Sequence, residues 1–149
     1  MIPDIDLHAL RVAATAALFL ATAATTARGD EMERVPPVTH AATQKECGEC
    51  HMAYQPALLP AASWSRVMEG LADHFGERAT LPDAVTAEIR AYLTGNAGRG
   101  DSRLLRITEQ RWWLDEHDFR ADIWRRKEVG SKANCQACHR LAEKGDYDR

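Results

Sequence analysis

Two pairs of cysteines, each followed at once by a histidine, are the residues best equipped for chemistry. They are Cys47-Gly48-Glu49-Cys50-His51 and Cys135-Gln136-Ala137-Cys138-His139. The spacing C-x-x-C-H is the attachment sequence of a c-type haem. Two thiols so spaced reach the two vinyl groups of one porphyrin, and the following histidine is held against the ring face as the proximal iron ligand. The chain has 4 cysteines and both pairs use all of them. A zinc site built from the four thiols, or two disulfides, would leave the neighbouring histidines without a duty. Two covalently bound haem c groups, on Cys47 and Cys50 and on Cys135 and Cys138, use every one of these residues.

Each iron then has a second face to be filled. Of the 6 histidines, His51 and His139 are the proximal ligands, and His74 and His117 are the candidates for the distal positions. A helix is expected to start with Ser63 as N-cap. Trp64, Val67, Met68, Leu71, His74 and Phe75 then recur at three- and four-residue intervals, with Gly76 as the stop. His74 thus falls on an apolar stripe. A lone histidine there is usually a hydrogen-bonded core residue; beside a covalent haem, ligation is the better account, with Met68 as its competitor. Trp113, His117 and Trp124 mark a second aromatic face, flanked by Phe119 and Ile123. Asp115, Glu116 or Asp118 is a candidate acceptor for the imidazole Nδ1–H of His117, although solvent exposure is the default for all three. His40 lies in a proline-containing stretch with nothing local to hold it, and is read as a solvated loop residue. Met52, adjacent to His51, cannot reach the opposite face of the same ring and is assigned to packing.

The elements that must position these groups are few. With 149 residues, 16.6 kDa and 7% aromatics, a core of side chains alone is marginal, and two flat apolar cofactors would complete it. The expected fold is mostly α, a small class I-like arrangement of helices and irregular loops packed around two haems. Residues 30–44 read as an extended lead-in and 52–60, with two prolines, as irregular chain. A helix starts near Leu81-Pro82-Asp83, with Thr80 as its cap and an apolar side of Val85, Ile89, Tyr92 and Leu93. Residues 95–102 form a glycine-rich linker. Thr108 is placed to cap the helix bearing His117, and Ser131 to cap a helix bearing Cys135, Cys138 and His139. The remainder from Lys144 reads as a tail. This divides the chain into 1–27, 28–100 with the first haem, and 101–149 with the second.

Residues 12–27 are uncharged and follow Arg11, with Ala21-Thr22-Ala23 or Thr25-Thr26-Ala27 as a small-x-small cleavage site. The run is shorter than the ~18 residues of a spanning helix. Residues 1–27 are therefore expected to be a cleaved export signal, which places the chain in the periplasm and suits haem attachment outside the cytoplasm. The net charge of -3 supplies no basic field for nucleic acid, so the partners are expected to be proteins.

The longer motifs resemble the dihaem cytochrome c family, typified by the soluble dihaem cytochrome of purple photosynthetic bacteria. The resemblance is carried by Glu46 through Pro56, by Leu58-Leu59-Pro60 and Trp64, and by Asp73-His74-Phe75-Gly76. Arg106-Ile107-Thr108, Glu116-His117-Asp118 and Asn134 through His139 complete it. It implies bis-histidine ligation at both irons, with His51 and His139 proximal and His74 and His117 distal. It also implies periplasmic electron transfer to a small oxygen-binding monohaem cytochrome, with a membrane b-type cytochrome as a source of electrons, and no small-molecule substrate. Two saturated irons suit a carrier and not an enzyme. The alternative is a haem enzyme or gas-binding cytochrome with one open iron, which needs only that His74 or His117 turn away.

Overall fold

The structure, a computed structural model, describes residues 33–148, which belong to one compact unit spanning residues 31–149. The expected export signal over residues 1–27 lies outside the described residues. Among the described residues there is no sheet, only isolated bridges, and no helix is long and apolar enough to cross a membrane. The described residues form five α-helices: α1 (Ala41–Cys47), α2 (Ala61–Glu69), α3 (Asp83–Gly95), α4 (Arg111–Glu116) and α5 (Ala121–Trp124). Short 3₁₀ turns and irregular chain join them. Of these five, only α3, with 13 residues, approaches the length of about 12–15 at which an isolated helix is even marginal in water. The others depend on what they pack against.

α2 and α3 lie against each other and build the protein core from Leu59, Trp64, Val67, Met68, Ile89 and Leu93. The apolar side expected of the helix after Pro82 is the one observed: Ile89 is fully buried and Leu93 nearly so. Burial of each such side chain contributes about 1.5–3 kcal/mol. The caps are different from those expected. Pro60 and Pro82 occupy the N-cap positions, and neither Ser63 nor Thr80 does. Ser63 sits inside α2, fully buried, with its hydroxyl donating to the Leu104 carbonyl at 2.6 Å. A buried hydroxyl needs a partner, and this one ties α2 to the chain ahead of α4.

α1 replaces part of the extended lead-in. Its sequence carries no apolar periodicity; it is specified at its start, where the His40 side chain accepts from the Thr43 N–H, filling one of the donors a helix N-terminus leaves open. His40 is consequently no solvated loop residue. Its Nδ1 meets Thr43 Oγ1 at 3.0 Å, its Nε2 meets Glu88 Oε1 at 2.9 Å, and its ring stacks on Tyr92.

The glycine-rich segment after α3 is pinned. The Gly98 N–H donates to the Leu59 carbonyl at 3.0 Å, and a Cβ at Gly98 would stand 1.8 Å from the Ala57 oxygen. Only glycine allows that approach. The buried Gln110 then holds Asp101 at both ends: its Oε1 accepts from the Asp101 N–H at 2.8 Å and its Nε2 donates to the Asp101 carbonyl at 3.1 Å. The C-terminal segment is likewise no free tail. Gly145, at φ 75°, turns the chain so that Val35 N–H reaches the Gly145 carbonyl at 2.8 Å and Tyr147 N–H reaches that of Glu33 at 2.7 Å.

Candidate haem sites

The first C-x-x-C-H starts on the last residue of α1, Cys47, and continues through a turn that leaves Cys50 and His51 exposed. The His51 Nδ1 lies 2.7 Å from its neighbour's carbonyl, Met52 O. A carbonyl can only accept, so Nδ1 carries the proton and Nε2 is left with its lone pair. Tyr54 stacks on this ring, centroids 4.8 Å apart at 24°. Met52 is buried, in keeping with its assignment to packing.

His74 comes to the same place by a route that helical periodicity does not describe. α2 ends at Glu69, where the Gly70 N–H closes on the carbonyls of Arg66 and Val67. A 3₁₀ turn, Leu71–Asp73, follows. His74 then opens a tight reversal: its N–H donates to the Glu77 carbonyl at 2.6 Å and the Glu77 N–H returns to the His74 carbonyl at 3.2 Å. Phe75 and Gly76 take φ of 58° and 103° in the middle. Asp73 accepts from the Gly76 N–H at 2.9 Å. The ring of His74 is thereby presented to His51 with centroids 6.3 Å apart and planes 27° apart. Burial, followed by the charges of His51 and Arg106, lowers its pKa from the ordinary value. That favours the neutral imidazole, the form that binds metals. Met68, the competing ligand, is buried in the core cluster.

The second site is assembled from three short pieces, α4, α5 and a 3₁₀ turn, where two helices were expected. α4 stops at Glu116, His117 is its C-cap, and α5 begins only at Ala121. Gln110, not Thr108, stands at the N-cap of α4. The His117 Nδ1 lies 2.9 Å from the Trp113 carbonyl, so a backbone oxygen takes the proton for which Asp115, Glu116 and Asp118 were the candidates. Trp113, Phe119 and Trp124 surround the imidazole. The C-x-x-C-H residues lie on a 3₁₀ turn, Cys135–Ala137, and not on a helix. Ser131 caps only a local turn, accepting from the Ala133 N–H at 3.1 Å. His139 faces His117 with centroids 6.0 Å apart and planes 67° apart. Its Nδ1 is buried with no hydrogen-bonding partner.

These two spacings are the geometric test of whether an iron fits. A metal–imidazole bond of about 2.0 Å plus the half-width of the ring puts each centroid about 3.1 Å from the metal, so a pair on one metal spans about 6.2 Å. Both facing pairs match that span. The zinc and disulfide alternatives fare worse. All four thiols are unpaired, and among the described residues no three His, Cys, Asp or Glu side chains converge as a metal cage. Burial pushes the Cys135 thiol up to about 11 and raises that of Cys47 as well. Such cysteines are poor anionic ligands.

The model of the dihaem cytochrome c family matches residues 43–147. The chain belongs to the dihaem cytochrome c family. Solved structures agree. DHC purified from Rhodobacter sphaeroides is 41% identical with a TM-score of 0.68, over 73% of this chain and 97% of that one. The diheme cytochrome of type c from Shewanella baltica is 41% identical with a TM-score of 0.66, over 72% of this chain and 86% of that one. No curated protein matches the chain. Membership in the family brings two covalently attached haem c groups and a role in electron transfer. Dihaem cytochromes c are in general electron carriers and not enzymes.

The two sites share a joint that sequence reading missed. Tyr54, stacked on His51, donates its hydroxyl to the Ala133 carbonyl at 2.6 Å, two residues before Cys135. The next residue, Gln55, is fully buried. Its Nε2 donates to the Ala142 carbonyl at 2.7 Å and its Oε1 accepts from the Tyr147 hydroxyl at 2.5 Å. Tyr147 in turn sets its ring against His139, 5.6 Å away. Burial pushes the Tyr54 hydroxyl up to about 12, so it stays a donor. The signal was Tyr54-Gln55-Pro56, separated by two residues from the first attachment site, which composition alone does not interpret.

Proposed function

We propose that the protein is a periplasmic electron carrier whose two haems are each ligated by two histidines, His51 with His74 and His139 with His117. Cys47 and Cys50 hold the first haem and Cys135 and Cys138 the second. The observation that carries the reading is the pair of facing imidazoles at each attachment site, spaced as one metal between them requires. Each haem supplies an iron that cycles between ferric and ferrous states. The chain's own part is to saturate that iron, so that electrons pass and no substrate binds. The His51 and His117 Nδ1–H groups donate to backbone carbonyls, which fixes the ring orientation and makes Nε2 the nitrogen that would bind the iron.

Residues 1–27 act as the export signal in this reading. The electron acceptor is a small oxygen-binding monohaem cytochrome, and the donor a membrane b-type cytochrome. The compartment rests on the sequence pattern and the partners on the family resemblance.

The test is ferric electron paramagnetic resonance with carbon monoxide binding to the ferrous form. His74→Ala and His117→Ala should each convert one haem, and only one, to a high-spin or carbon-monoxide-binding state. His40→Ala should convert neither. A wild-type protein that binds carbon monoxide at one iron would overturn the saturated-carrier reading and favour a gas-binding or enzymatic one.

A further inference from the structure

Two imidazoles on one iron both contain the axis through the metal, so the angle between their planes is the angle between their π orbitals. That angle is 27° at the first site and 67° at the second. We propose that Trp113 is the positioning residue that makes the two irons electronically unlike, by locking the His117 imidazole across that of His139. The inference rests on the bis-histidine reading above.

Trp113 holds His117 in two ways. Its indole lies flat against the imidazole, 4.3 Å between centroids and 2° between planes. Its carbonyl takes the Nδ1 proton at 2.9 Å and also accepts from the His117 backbone N–H at 3.0 Å. The imidazole cannot rotate about its axis without breaking both. Trp113 is itself immobilised: it is 4% exposed, tilted against Trp124 at 5.5 Å, and covered by the Lys132 ammonium at 5.6 Å. His139 has no hydrogen bond at Nδ1 to set its plane, and only the Tyr147 edge steers it. The first site has no such clamp on its distal histidine. There Tyr54 and the Met52 carbonyl orient the proximal His51, while His74 meets Phe75 at a tilted 58°.

The consequence follows from orbital symmetry. Each imidazole π orbital overlaps one combination of the two iron dπ orbitals. Aligned imidazoles act on the same combination and split the pair. Crossed imidazoles act on one each and leave the pair nearly degenerate. Low-spin ferric iron holds its unpaired electron in this pair. A split pair gives a three-line rhombic resonance, and a degenerate pair gives one strongly anisotropic feature at large g.

Ferric electron paramagnetic resonance of the holoprotein at liquid-helium temperature reads this directly. The wild type should show both kinds of low-spin signal in equal integrated amounts. Trp113→Met, which keeps an apolar side chain without a flat ring, should move the large-g feature towards the rhombic type and leave the first signal in place. Trp113→Phe, which restores a stacking ring, should bring it back. Two rhombic signals in the wild type, or a large-g feature indifferent to Trp113→Met, would overturn the proposal while leaving bis-histidine ligation intact. A high-spin wild-type signal would overturn the ligation reading instead. The wild-type spectrum decides the angle even if Trp113→Met fails to fold.

Discussion

Replacing Gln55 with leucine should be among the most damaging single changes outside the haem-attaching residues. The side chain is fully buried and spans two parts of the chain: it donates to the Ala142 carbonyl at 2.7 Å, with the Glu143 carbonyl at 3.3 Å, and accepts from the Tyr147 hydroxyl. Leucine keeps most of the volume but none of the bonds. The Tyr147 hydroxyl is then left buried without its acceptor, at about 1–3 kcal/mol, while the Ala142 carbonyl keeps the Gly145 N–H at 2.9 Å and loses only a second bond worth about 1 kcal/mol. The expected loss is therefore about 2–4 kcal/mol, against a total stability of roughly 5–15 kcal/mol for a domain. At about 3–5 °C per kcal/mol this lowers Tm by some 6–20 °C. Thermal unfolding of the ferric holoprotein, followed by far-ultraviolet and Soret circular dichroism, measures it. Tyr147→Phe alone strands the Gln55 oxygen and should cost about 1–2 kcal/mol. In the Gln55→Leu background the same change removes a hydroxyl already orphaned, so it should cost nothing or stabilise, giving a coupling of about 1–2 kcal/mol. Strict additivity, or a Gln55→Leu loss below about 0.5 kcal/mol, would show that this joint does not bind the two sites together.

His40→Ala should leave both ferric low-spin signals untouched and yet cost about 1 kcal/mol, the typical worth of a helix N-cap, readable in the urea midpoint. Gly145→Ala should cost about 3 kcal/mol or more by the same assay: φ is 75° and a Cβ would stand 2.0 Å from the Val35 oxygen, so a left-handed strain adds to a steric clash. The Asp101 carboxyl, held to about 2 by the Arg103 side chain, should titrate there in an NMR pH series and move upward in Arg103→Gln. Because its folded pKa is depressed, any stability this pair lends is present above about pH 4, the unfolded value, and is lost as pH falls through about 2. An unchanged titration in Arg103→Gln would disprove the pairing. Cys135→Ala with Cys138→Ala should leave one covalent haem by mass spectrometry and disorder the segment after α5, whose 3₁₀ turns are too short to stand alone.

The attachment sites were legible because they are covalent and local: C-x-x-C-H states its chemistry in five adjacent residues, whatever the fold. The helix bearing Ile89 and Leu93 was legible too, since thirteen residues carry enough turns for an apolar period to declare itself. The routes by which the distal histidines arrive were not. A repeat of three and four from Trp64 to His74 looks the same whether the helix continues or stops at Gly70 and reverses at Phe75 and Gly76. Three-residue 3₁₀ turns at Leu71 and Cys135 leave even less of a period to read. α1 was missed because its specification lies in one cap contact from His40, an unusual residue for that position. Pairing of residues 33–35 with 145–147, and the reach of Gln55 to Ala142, depend on segments about ninety to one hundred and ten positions apart. No local pattern encodes such contacts. The residue types that an iron needs were therefore written along the chain, while the 27° and 67° between their rings came from the folded structure, because an imidazole turns freely until packed rings and carbonyls are set against it.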